Sequence, residues 1–316
     1  MGGDGSSSSA PKLETVVASS ALPRLSHRQW ALAAQDLLRL DSTPDVTGFA
    51  NDAPSATGFD NTGGQLEVSP ALWQDYQSAS EALAAKVASD SQLLAKITPS
   101  GLPGSGDARA LAFVSALGER AFRRALTSAE SSGLVALFKQ GPSLFPARDE
   151  LSAGAEITIQ ALLQAPGFVY RQEQGSAPNK DGIAALSEYE IAARLSFMLW
   201  DSLPDAPLTA AAKAGKLHEP AQIAEQARRM LAMPRAADKL VEFHRQLLEL
   251  RRYDTLHPQG QPDTLGAALR GETERFVRAV VVDDKGTYAD LLSQSYSFVN
   301  KDVASLYGLS GSFGSD

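Results

Sequence analysis

From Leu186 to Asp205 the chain reads Leu-Ser-Glu-Tyr-Glu-Ile-Ala-Ala-Arg-Leu-Ser-Phe-Met-Leu-Trp-Asp-Ser-Leu-Pro-Asp. Apolar residues recur at Ile191, Ala192, Leu195, Met198 and Leu199, the i, i+3/i+4, i+7 spacing of an amphipathic helix. Ser187 and Glu190 ahead of the stripe form the S-x-x-E capping box, and Leu186 stands where it can staple Ile191. The cap contributes about 1 kcal/mol. The Glu190–Arg194 pair at i, i+4 adds roughly 0.2–0.5 kcal/mol. Burial of each large side chain, at roughly 1.5–3 kcal/mol, outweighs both. Arg194 borders the stripe, so it either snorkels at the edge or enters a buried ion pair. Leu203-Pro204 ends the helix, because proline disfavours helical backbone in the residue before it.

The same pattern of caps and stripes recurs along the chain. Ser26 and Gln29 open a first helix with Trp30, Ala33, Ala34, Leu37 and Leu38 on one face. Asp41 to Gln65 is a long polar loop, a length that marks functional or disordered segments. Within it, Gly58-Phe59-Asp60-Asn61 lacks the calcium-loop spacing and reads as an Asx-turn or cap. Ser69-Pro70 starts a helix with Leu72, Trp73, Tyr76, Leu83 and Val87 inward, and Ser80 at the stripe's edge. Asp107 caps a helix carrying Leu111, Val114, Leu117 and Phe122, and Thr127 with Glu130 caps the next. A further helix runs from about Asp149 to Gln164 and stops at Ala165-Pro166-Gly167. After the central helix come patterns opening at Asp205, Glu219-Pro220, Pro234, about Asp263, Thr287 and Asn300. Strand alternation is nearly absent. The expectation is an all-α protein of packed amphipathic helices with little or no sheet. It divides into a Gly/Ser-rich disordered tether over residues 1–21, helical domains over 22–171 and 183–308 meeting near Gln172 to Gly182, and a flexible end over 309–316.

Composition narrows the chemistry. The chain has 316 residues, a net charge of −8 and no cysteine. Interspersed charge argues against a nucleic-acid groove. Without cysteine this chain carries no disulfide, no thiolate zinc site, no cysteine nucleophile and no covalently attached c-type haem. No apolar run approaches the ~20 residues of a membrane span. The Gly/Ser-rich leader reads either as a plain disordered terminus or as the segment that follows the lipidated cysteine of a bacterial lipoprotein. A carboxylate-bridged di-iron bundle needs Glu-x-x-His on two helices. None of His27, His218, His244 and His257 has glutamate three residues before it. His244, inside an apolar helix, reads as a satisfied core or surface residue. No Gly-x-Ser-x-Gly elbow is present. Arg123-Arg124 and Arg228-Arg229 read as solvated helix faces. No residue is singled out as catalytic, cofactor-binding or metal-ligating.

Six segments together resemble one family. They are Leu22 to Trp30, Gly58 to Asn61, Arg120 to Thr127, Ala161 to Arg171, Leu186 to Asp205, and Tyr296 to Asn300 with Leu306-Tyr307-Gly308. Their order is similar to that in the large exported proteins of planctomycete-type bacteria built from a fixed series of domains of unknown function, often with a cytochrome c domain. The resemblance implies export to the periplasm or cell surface, with membrane attachment only through a lipid anchor. It also implies that the chain ends where a further domain usually begins. Any haem c would lie on a partner chain or another domain.

Two functions of different class stand open. One is an extracytoplasmic scaffold that binds another polypeptide, such as a C-terminal remainder of the precursor. The other is a haem-free subunit or fragment of a periplasmic redox enzyme. The dense apolar load near the C-terminus assigns the partner contact to Tyr296, Phe298, Val299, Leu306 and Tyr307, because short helices depend on packing against something larger.

Overall fold

The computed structural model describes residues 22–53, 55, 57–62, 65–180 and 183–315. The expected tether over 1–21, one end of the expected domain junction at Gly182, and residue 316 lie outside them. Among the described residues the fold is all-α. The only strand-like feature is one antiparallel bridge between Arg24 and Tyr170.

The first half contains α1 (His27–Leu38), α2 (Pro70–Ser89), α3 (Ser91–Ile97), α4 (Gly106–Phe122), α5 (Ser128–Leu144), α6 (Glu150–Gln164) and the single turn α7 (Pro166–Val169). The second half contains α8 (Glu188–Trp200), α9 (Ala206–Lys213), α10 (Pro220–Leu231), α11 (Pro234–Leu247), α12 (Leu265–Arg278), α13 (Tyr288–Ser293) and α14 (Lys301–Leu306). A 3-10 turn, Leu250–Thr255, follows α11, and a π-helical turn, Ala279–Asp283, continues α12. No helix among the described residues is long and apolar enough to cross a membrane.

Helix α6 is the axis of the first half. It packs against α2 on one side and α5 on the other and is buried nearly all round, from Ser152 to Leu163. Its Glu156 can be buried because Arg148 pairs with it. Trp30 of α1 stacks on Tyr76 of α2 at 5.5 Å, and its indole N–H donates to the Leu163 carbonyl at 3.2 Å. The chain ahead of α1 is tied to the end of α7 by backbone bonds, Leu25 to Val169 and Arg171 to Pro23, each 2.9 Å.

Two hydrophobic clusters form, and α8 serves both. Ala192, Leu195 and Trp200 join the second cluster, with Leu208, Leu217 and Met230. Phe197, with Leu203 beyond the helix, joins the first. The buried arc of α8 is therefore centred roughly one residue step, ~100°, away from the stripe read off the sequence. Ser196, Phe197 and Trp200 are buried, while Met198 and Arg194 share the solvent face. Arg194 resolves to the solvated edge and pairs with Glu173 at 3.1 Å.

Other sequence expectations are corrected for the same reason. Helix α2 buries a seam from Leu72 through Tyr76, Ser80 and Ala84 to Val87, and Trp73, one position off it, is exposed. Helix α4 buries Ala110, Phe113, Val114 and Leu117, which leaves Leu111 outside. The N-cap of α4 is Ser105, and Asp107 lies in the first turn.

Arg123 is the largest departure from a solvated face. It adopts left-handed backbone (φ 58°) at the end of α4 and is buried. Its guanidinium donates to the carbonyls of Ala121, Gly167, Phe168 and Tyr170 at 2.7–3.2 Å. Burial pushes it down to about 9, still protonated at neutral pH. Arg123 and Arg171 both lie over the Phe197 ring, at 5.6 and 5.5 Å. Arg124 forms a two-pronged pair with Glu130, 2.8 Å in each arm. Arg229 pairs with Asp205 at 2.7 and 3.0 Å and lies over Trp200, so it too has a partner.

Candidate functional site

The two halves meet along a polar seam built on α1. The expected capping box at its start is present: Gln29 N–H donates to Ser26 Oγ at 3.4 Å, and Ser26 N–H donates to Gln29 Oε1 at 3.2 Å. The other end of the Gln29 amide crosses the seam, Nε2 donating to Asp201 Oδ1 at 2.9 Å. Asp201 closes α8 in the left-handed conformation (φ 54°), which aspartate tolerates better than most residues. A carboxylate at a helix C-terminus opposes the helix dipole. Lys239 offsets this by donating to both carboxylate oxygens at 2.8 Å, with Arg28 at 3.6 Å. Two turns along α1, Asp36 accepts from Ser202 at 2.5 Å and from Arg235 at 2.6 Å. Arg235 also lies 4.8 Å over the Trp200 ring. These partners are 166 to 199 residues apart, so no local pattern announces them.

The long loop after α1 adds a second connection. Its first part folds inward: Phe49 packs edge-on against Trp30 and Tyr76, and buried Arg24 binds the Tyr76 hydroxyl at 2.8 Å and pairs with Asp52. Its second part clasps α11. Gly58 takes φ +79°, a region open to glycine, and so delivers the next two residues to the helix. Phe59 stacks on Phe243 at 5.4 Å, and Asp60 N–H donates to Gln246 Oε1 at 3.1 Å. Gln246 Nε2 in turn donates to Glu242 at 2.7 Å. The Gly58–Asn61 stretch is thus an inter-helix clasp.

Between this loop and the start of α1 lies a cavity of ≈ 560 Å³. Arg28, Arg251, Asp52 and Asp60 give its wall balanced charge, and Phe49, Phe59 and Leu66 give it apolar surface. Burial pushes the Asp60 carboxyl up, and Asp201 and Glu242 push the same way against the Gln246 hydrogen bond. Burial lowers His27, with Asp52 opposing. His27 Nε2 donates to the Ala50 carbonyl at 3.1 Å, and its Nδ1 is buried with no hydrogen-bond partner. Among the described residues no group of three or more His, Asp or Glu is placed to hold a metal ion. His244, as a satisfied side chain, hydrogen-bonds the Leu240 carbonyl through Nδ1 at 2.8 Å.

The residues assigned from the sequence to partner contact lie at the far end. Tyr296 is exposed, its hydroxyl donating to Asp284 at 3.1 Å and its ring meeting Phe276 and Phe298 edge-on. Tyr307 and Leu306 are exposed, and the Tyr307 hydroxyl donates to Glu272 at 3.0 Å. Phe298 and Val299 are half-buried. Helix α13 buries none of its residues, and α14 buries Val303 and Ala304 alone. Tyr288 and Leu292 are the barest, at 69 % and 71 % exposed.

The architecture defines a class: a cysteine-free, all-helical protein whose two halves are joined by a polar seam. Three domain families match it in series. PSD3, protein of unknown function (DUF1587), matches residues 24–89. PSD5, protein of unknown function (DUF1595), matches 109–173, and PSD4, protein of unknown function (DUF1592), matches 186–309. The chain belongs to the multidomain planctomycete-type family in which these domains follow one another. No curated protein and no solved structure matches it.

Proposed function

We propose that this chain is an extracytoplasmic helical scaffold whose C-terminal third binds another polypeptide. The observation that carries the reading is the contrast in burial. The first half buries most of its large apolar residues and exposes Leu22, Trp73, Leu111 and Leu144 only at scattered positions, whereas Tyr288, Leu292, Tyr296, Leu306, Tyr307 and Leu309 all stay exposed within one short stretch. Apolar and aromatic surface of this density is what protein interfaces use. Its surroundings are acidic: from 283 to 302 there are four aspartates and two lysines, a net charge of −2. The complementary partner therefore presents an apolar, aromatic-accepting surface with a basic rim. The extracytoplasmic placement rests on the resemblance read from the sequence, and cell fractionation tests it.

Sedimentation of the isolated chain, paired with hydrogen exchange over residues 288–307, tests the scaffold reading. The expected result is fast exchange in this stretch or self-association, with slowing when the partner is added. A well-behaved monomer with these amides fully protected overturns it. Stoichiometric haem in the absorption spectrum of the native assembly would replace the pure scaffold with a subunit of a redox enzyme.

A further inference from the structure

We propose that the cavity between α1 and the Gly58–Asn61 clasp binds a neutral, polyhydroxylated small molecule of mono- to disaccharide size. Its volume, ≈ 560 Å³, lies within the range of small-molecule sites, and it sits where two halves of the molecule join. The side chains facing it include groups that the protein leaves unused. Asn51, Gln65 and Arg251 line the cavity as exposed residues, and among the described residues none of their side chains has a hydrogen-bond partner. Each amide supplies a donor and an acceptor together, which suits vicinal hydroxyls that both donate and accept.

The charge pattern selects against ions. Arg28, Arg251, Asp52 and Asp60 line the same space. An anion drawn to the arginines meets two carboxylates, and a cation drawn to the carboxylates meets two guanidinium groups. A neutral ligand meets neither penalty and can use Arg251 and Asp60 as a charge-assisted donor and acceptor, Asp52 and Arg28 being already matched by Arg24 and Asp201. Phe59 has one ring face on Phe243 and also lines the cavity, offering apolar surface to the C–H face of a sugar ring. Binding there would touch α1, the loop and the residue after α11's 3-10 turn begins, so the ligand would brace the junction.

The experiment is calorimetric titration of the full chain with xylose, glucose, galactose, mannose and cellobiose, with benzoate and choline as charged comparators. The expected result is saturable binding of at least one neutral sugar and none of either ion. Asn51→Ala and Gln65→Ala should each weaken that sugar about tenfold, one lost hydrogen bond apiece. Their thermal unfolding should stay as in the parent, because both residues are exposed and neither side chain has a hydrogen-bond partner among the described residues. Absence of binding by every sugar overturns the proposal. So does tighter binding of benzoate or choline, or unchanged sugar affinity in both variants.

Discussion

At the scale of single residues, two arginines adjacent in sequence have opposite roles. Arg123 gathers four backbone carbonyls around a buried guanidinium. Replacing it with methionine keeps volume but leaves those acceptors without a donor, and each unsatisfied buried group costs about 1–3 kcal/mol. Arg123→Met should therefore lose about 3 kcal/mol or more in urea unfolding, with Arg123→Lys recovering part through its three donors. Arg124 acts near the surface on Glu130, whose carboxyl its hydrogen bonds hold down to about 2 from the usual 4.5. A depressed carboxylate stabilises the fold above its unfolded pKa, and that contribution fades as pH falls through the folded one. Parent stability should thus decline between pH 4.5 and about 2, and Glu130→Gln should flatten that part of the curve. Solvent screening limits the difference to about 1 kcal/mol or less.

At the scale of helices, close approach is bought by missing side chains. Where α5 crosses α6, a Cβ on Gly141 would come within 2.5 Å of the Ala153 carbonyl. One turn earlier, Phe138 lies against Gly154, where an added Cβ would meet the ring at 2.5 Å. Backbone cannot yield as a flexible side chain does, so Gly141→Ala should push the two helices apart and cost about 1–3 kcal/mol. Thermal unfolding measures this. A gain in stability, as expected for alanine in an unconstrained helix, would show that the crossing is looser than described. Helix α8 teaches a related point. Its capping box was legible because Ser187 and Glu190 lie three residues apart and act locally. Its buried face was not, because periodicity places a stripe relative to one core and α8 touches two.

At the scale of the molecule, the halves are joined through the α1 seam and the loop clasp. Phe59 lends the clasp one aromatic stack, an arrangement worth about 0.5–1.5 kcal/mol beyond its buried area. Phe59→Ala should speed hydrogen exchange over residues 57–62 and lower the melting temperature while leaving the cap of α1 intact. Unchanged exchange in that loop would assign its order to Phe49, Asp52 and the Asp60–Gln246 hydrogen bond rather than to the stack.

Helices, most of their caps and the absence of sheet were determined by the sequence itself, because these arise from contacts within about four residues. The family series was equally legible, carried by short segments in fixed order. What joins Gln29 to Asp201, Asp36 to Ser202 and Arg235, or Phe59 to Phe243 was decided by the tertiary structure alone. A polar or aromatic side chain carries no record of a partner more than a hundred residues away. Only folding brings Asp201 to Lys239 and Gln29, turning a carboxylate at an unfavourable helix end into the centre of the seam.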